Sequence, residues 1–77
     1  MAPQILATIT PRVRQALADS PVFALRELTV ENQNDSIIIS GTVGSFYHKQ
    51  LAQEVVRAVA RGLPVVNSIE VQWEEED

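Results

Sequence analysis

The sequence contains no cysteine, so neither a disulfide nor a thiolate site supports the fold, and the core must come from side-chain packing alone. No run approaches the roughly 18 consecutive apolar residues of a membrane-spanning helix. Met1 to Pro11 carries no basic residue ahead of its short apolar segment. That is not the pattern of a secretory signal peptide, and the expected compartment of the chain as written is the cytoplasm. Basic excess is absent too. The formal charge of −4 resides entirely in Glu74, Glu75, Glu76 and Asp77, and the body that precedes them is neutral. A neutral body lacks the positive field by which proteins hold nucleic acid, so no nucleic-acid partner is expected. The acidic run reads as a solvated tail, residues 73–77, behind a single domain of residues 1–72.

Catalytic chemistry is missing as well. His48 is the only histidine, with no cysteine or acidic partner near it in sequence, and it reads as a half-buried side chain in the first turn of a helix. Ser20, Ser36 and Ser40 have no Gly-x-Ser-x-Gly setting and no neighbouring base. Gly41 and Gly44 form a Gly-x-x-Gly, but without the lysines and further glycines that cradle a phosphate. No enzyme activity, catalytic residue, metal or cofactor is expected.

What the chain does have is an apolar fraction of 45%, mostly Val, Ile, Leu and Ala, enough for a small packed domain and too much for a disordered one. Its organising stretch is Asp35 to Ser45, in which Ile37, Ile39, Gly41 and Val43 share one face of a strand. Thr10 followed by Pro11 predicts the N-cap and first position of a helix running to about Asp19, ended by Ser20-Pro21. Apolar spacings back to Leu6 allow that helix to include part of the preceding segment. Val22 to Leu25 reads as a loop whose Phe23 or Leu25 plugs one end of the core. Period-two alternation from Arg26 predicts a strand with Leu28 and Val30 facing inward, and Asn32 to Asp35 predicts the hairpin turn. Gly41 inside the second strand implies a bulge, a bend or a close helix contact.

Ser45 predicts an N-cap for a second helix, Phe46 to about Arg61, with Tyr47, Leu51, Ala52, Val55, Val56, Ala58 and Val59 on its covered arc. Gly62 and Pro64 stop it. Val65 to Trp73 is the last strand, turning Ile69 and Val71 to the core. The predicted class is α+β, an α-β-β-α-β sandwich with a three-stranded mixed sheet and both helices packed on one face.

Three stretches carry a resemblance. Val13 to Leu17 with Asp19, then Ile37, Ile39, Ser40, Gly41, Val43 and Ser45, then Gly62, Leu63, Val65, Asn67, Ile69 and Val71 resemble in order and spacing the BON domain. This is the module named for bacterial osmotically inducible periplasmic and nodulation proteins. The match covers roughly Pro11 to Gln72. The resemblance implies two helices over a three-stranded mixed sheet and a non-enzymatic role in association with phospholipid or the cell envelope, with a periplasmic or envelope setting.

Two surfaces are candidates for binding. At the start of the second helix, Phe46, Tyr47 and Lys49 combine aromatic rings, a helix N-terminus and a cation, and Arg57 and Arg61 extend the same side with positive charge. Alternatively Phe46 folds back as a staple on the first helix and the basic residues are a solvated face. The partner expected there is anionic phospholipid or an envelope protein. The other surface is the uncovered sheet face, where Ile38 and Val66, with Val22 or Leu25 as further candidates, lie among Thr29, Ser40, Thr42 and Ser68. It is suited to protein contact or a homodimer.

Overall fold

A computed structural model describes residues 3–72, with side chains from residue 7 onward. The segment 73–77, including Trp73 and the expected acidic tail, lies outside the described residues. The element order is helix α1 (Pro3–Ala18), a short 3-10 helix (Phe23–Glu27), strands β1 (Thr29–Gln33) and β2 (Ser36–Val43), helix α2 (Phe46–Val59) and strand β3 (Val65–Val71). The sheet order is β1-β2-β3, with β1 antiparallel and β3 parallel to the central β2. This is the expected α+β arrangement with a mixed sheet.

The core grows from β2. Ile37, Ile39 and Val43 are buried on one side of the strand, together with Val13 and Leu17 of α1, Ala52 and Val56 of α2, Val30 of β1 and Ile69 of β3. Both helices therefore cover one face of the sheet. Gly41 sits on that face with φ +134° and unbroken register opposite Ile69. A Cβ there would stand 2.8 Å from Leu28 Cδ2, so the glycine admits the approach of Leu28 from the segment entering β1, rather than a helix. The hairpin closes on Asn34-Asp35, where Asn34 adopts φ 57°, a left-handed conformation that asparagine tolerates.

The helix boundaries differ from the sequence reading at three points. First, α1 starts at Pro3, as the apolar spacings ahead of Thr10 allow, so Thr10 is not its N-cap and Pro11 lies inside it. Pro11 has no N–H for the Ala7 carbonyl and its ring crowds that turn, a local cost of about 3 kcal/mol. Packing of Ile9, Val13 and Leu17 on the core, with Thr10 buried and its Oγ1 accepting from Asn32 Nδ2 at 3.0 Å, carries the helix through the proline. Second, residues 22–25 are not a loop but open into the 3-10 helix, which also takes Arg26 and Glu27 from the expected first strand. Leu25 is its buried residue, whereas Phe23 is 67% exposed. Leu25 is therefore the plug and does not belong to the open sheet face. Third, α2 ends at Val59, with Ala60 N–H donating to Val56 O. Gly62 takes φ +81° in the turn beyond, where Leu63 N–H donates to Ala60 O at 3.0 Å. Tyr47 and Ala58, expected on the covered arc, are exposed. A 14-residue helix covers the sheet with a narrower stripe than an arc drawn from angles alone.

Leu25 and Phe23 supply a direct check. Leu25→Ala removes a fully buried side chain and is expected to lower the unfolding free energy in urea by about 2–5 kcal/mol, or to unfold the domain. Phe23→Ala is expected to change it by less than about 0.5 kcal/mol. Equal losses from the two variants would contradict the burial described here.

Candidate lipid-facing surface

Strand direction decides what gathers at each end of the sandwich. β1 runs against β2, so the 3-10 helix that precedes β1 lies at the C-terminal end of β2. α2 begins just beyond the same end, at Phe46, three residues after Val43, and the 3-10 helix packs against it. Three aromatic side chains consequently share this end and all face solvent: Phe23 at 67%, Phe46 at 62% and Tyr47 at 67% exposure. At 62% exposure Phe46 does not fold back as a staple on α1. Phe23 and Arg26 are three residues apart, the spacing at which side chains eclipse in a 3-10 helix. The Arg26 guanidinium stands 5.5 Å from the Phe23 ring centroid, within cation–π range, while its Nε donates to Ser20 O at 2.8 Å. Ser20 in turn accepts from Val22 N–H through Oγ at 3.0 Å, which fixes the chain across Pro21.

The start of α2 is equally fixed. Ser45 caps it, its Oγ accepting from His48 N–H at 3.1 Å, as the sequence predicts. His48 is half-buried, with Nδ1 enclosed and unpartnered in the protein, and its ring lies 5.6 Å from that of Tyr47. Lys49 is half-buried. Its carbonyl accepts from Asn67 Nδ2 at 3.1 Å, and the same amide donates to Gln53 Oε1 at 3.1 Å. Asn67 Oδ1 accepts from Ile69 N–H at 3.1 Å. One side chain of β3 thus holds the first half of α2 at a set rotation over the sheet.

Arg57 and Arg61 do not join this end. Phe46 and Arg57 are eleven residues apart in one helix, which separates them by about 16 Å along its axis. Arg57 is exposed near the far end of α2, and Arg61 lines an open groove between the two helices with Arg12, Gln15, Ala16, Asp19, Ala58 and Val59, about 540 Å³ in volume. On the opposite face of the sheet Ile38 is half-buried and Val66 is 46% exposed, and the two are adjacent in register. The five residues read as one surface therefore separate: Phe46, Tyr47 and Lys49 stand at the start of α2, Arg57 is exposed near its far end, and Arg61 lies on the groove.

Sequence reasoning missed Phe23 and Arg26 as surface residues, because their pairing depends on a 3-10 turn that periodicity does not reveal. It also passed over Asn67, although an amide among the inward positions of an alternating strand signals a partner in the helix layer. Arg12 could not be placed on a groove before the helix packing was known.

The sequence profile of the BON domain matches residues 6–72. The chain belongs to the BON family. BON domains are non-catalytic binding domains known for phospholipid binding. No curated relative matches the chain. Among the described residues of this BON domain, no three His, Cys, Asp or Glu side chains come together to hold a metal ion, and no helix is long and apolar enough to cross a membrane.

Asn67→Leu keeps the side-chain size and removes all three hydrogen bonds. The expected loss is about 1–3 kcal/mol of stability, with faster amide hydrogen exchange at Ile69, whose N–H loses its acceptor. Unchanged exchange at Ile69 would contradict the role given to Asn67.

Proposed function

We propose that this BON domain is a binding module that rests end-on on an anionic phospholipid surface of the cell envelope, through Phe23, Phe46 and Tyr47, with Arg26 and Lys49 at headgroup level. The observation that carries the reading is the placement of the three exposed aromatic rings at one end of the sandwich. Rings of this kind are stable where one side is apolar and the other wet, and they favour the bilayer interface over water. A soluble domain gains nothing by displaying three of them together unless something covers them.

The electrostatics support the same orientation. α2 points its N-terminus, with its partial positive charge, toward this end. A cation near an anionic leaflet contributes about 1 kcal/mol, and Arg26 is already stacked on Phe23, so ring and charge arrive together. No segment has to unfold or insert deeply, and binding of this type is shallow, reversible and salt-sensitive.

The experiment is flotation of the purified domain with neutral and with anionic vesicles at low and moderate salt. Binding is expected to anionic vesicles only, to weaken at the higher salt, and to fall at least about tenfold in Phe23→Ala/Phe46→Ala/Tyr47→Ala, a change of about 1.4 kcal/mol. Lys49→Glu is expected to reduce the anionic preference, while Arg57→Glu, at the far end of α2, changes it little. Full binding by the triple aromatic variant would overturn the reading.

A further inference from the structure

The two broad faces of the sandwich carry opposite charge. The sheet face away from the helices presents Thr29, Glu31, Ile38, Ser40, Val66 and Glu70 among its side chains, and Glu31 and Glu70 are its only charged ones among the described residues. Glu31, Ile38 and Val66 lie in one row across the three strands, and Glu70 lies two rows further along β3. The helix face presents the groove, whose lining includes Ala16, Ala58 and Val59 together with Arg12 and Arg61. Its one acidic lining residue, Asp19, accepts from Gln15 Nε2 at 3.0 Å. Arg57 and Glu54 stand exposed nearby on α2 and offset each other. Arg14 is directed elsewhere, donating to Val30 O at 2.9 Å at the outer side of β1.

We infer that the acidic sheet face of one copy docks on the Arg12/Arg61 groove of the next, so that copies of this chain stack front to back. Each contact sets Glu31 and Glu70 against Arg12 and Arg61, and sets Ile38 and Val66 against Ala16, Ala58 and Val59. The complementarity lies between two different surfaces on opposite sides of one slab. Such a contact is heterologous and continues from copy to copy in place of closing a two-fold dimer. The contact uses neither Phe23, Phe46 nor Tyr47, so it does not rest on the lipid reading. Its strength rests on charge, and it is expected to be weak and salt-sensitive.

The test is light scattering of the full chain over a concentration series at low salt, with two charge-reversed variants, Arg12→Glu/Arg61→Glu and Glu31→Arg/Glu70→Arg. All four positions are exposed, and unchanged circular dichroism checks that both variants fold. The native chain is expected to rise in average mass to at least twice the monomer at high concentration, and each variant alone to stay at the monomer mass. An equimolar mixture of the two is expected to recover association, because the acidic groove of one then meets the basic face of the other. A native chain that stays monomeric throughout overturns the inference. So does association that survives Arg12→Glu/Arg61→Glu, which would mark pairing of two sheet faces. Loss on reversal of the arginines but not of the glutamates would place another acidic segment in the groove and would equally overturn it.

Discussion

Burial of one side of β2 is the constraint from which the other features follow. Ile37, Ile39 and Val43 project from the central strand, which is paired along both edges and so has no lateral way to hide them. They must be covered from above, and among the described residues two α-helices do it. Once α1 and α2 lie on that side, the opposite face of the sheet is left to solvent or a partner. The same arrangement directs the 3-10 helix and the start of α2 to one end of the sandwich.

Apolar packing alone does not set the rotation of a helix on a sheet, because burial is nearly indifferent to direction. Here a few polar contacts supply it. Arg14 and Thr10 tie α1 to β1, and Asn67 ties β3 to the first half of α2. Ser45 caps α2 at a defined residue. With the helix held in this way, Phe46 and Tyr47 point outward at a fixed place instead of sliding into the core, where their rings would be better covered. The exposure of these aromatics is thus maintained by hydrogen bonds some distance from the rings.

The surface that results has three regions of distinct chemistry: an aromatic end with nearby cations, a groove between helices lined in part by arginines, and a sheet face whose only charges are acidic among the described residues. The use proposed for the first region is in keeping with a family known for phospholipid binding. The second and third complement each other across the thickness of the domain.

Much of the fold was legible in the sequence because its signals are local. Period-two alternation in β2 and β3, the Ser45 cap, the Ser20-Pro21 break and the stop after α2 each act within a few residues, and together they indicated the class, the order of the α-helices and strands and a mixed sheet. Local signals failed where burial outweighed them. Pro11 marks a helix start by propensity, yet docking of Ile9 and Val13 keeps the helix running through it. Tyr47 shares the apolar arc by angle, yet it stands exposed in the first turn of α2, which begins beyond the end of β2. The separation of Arg57 and Arg61 from Phe46, the placement of Phe23 at the same end of the sandwich as the start of α2, and the groove that Arg12 shares with Arg61 depend on the direction of strands and helices in space. The sequence by itself determined which residues are buried in the central strand and the order of the α-helices and strands. Only the tertiary structure decided which exposed residues act together, because residues far apart in the chain become neighbours only when the elements that carry them are packed.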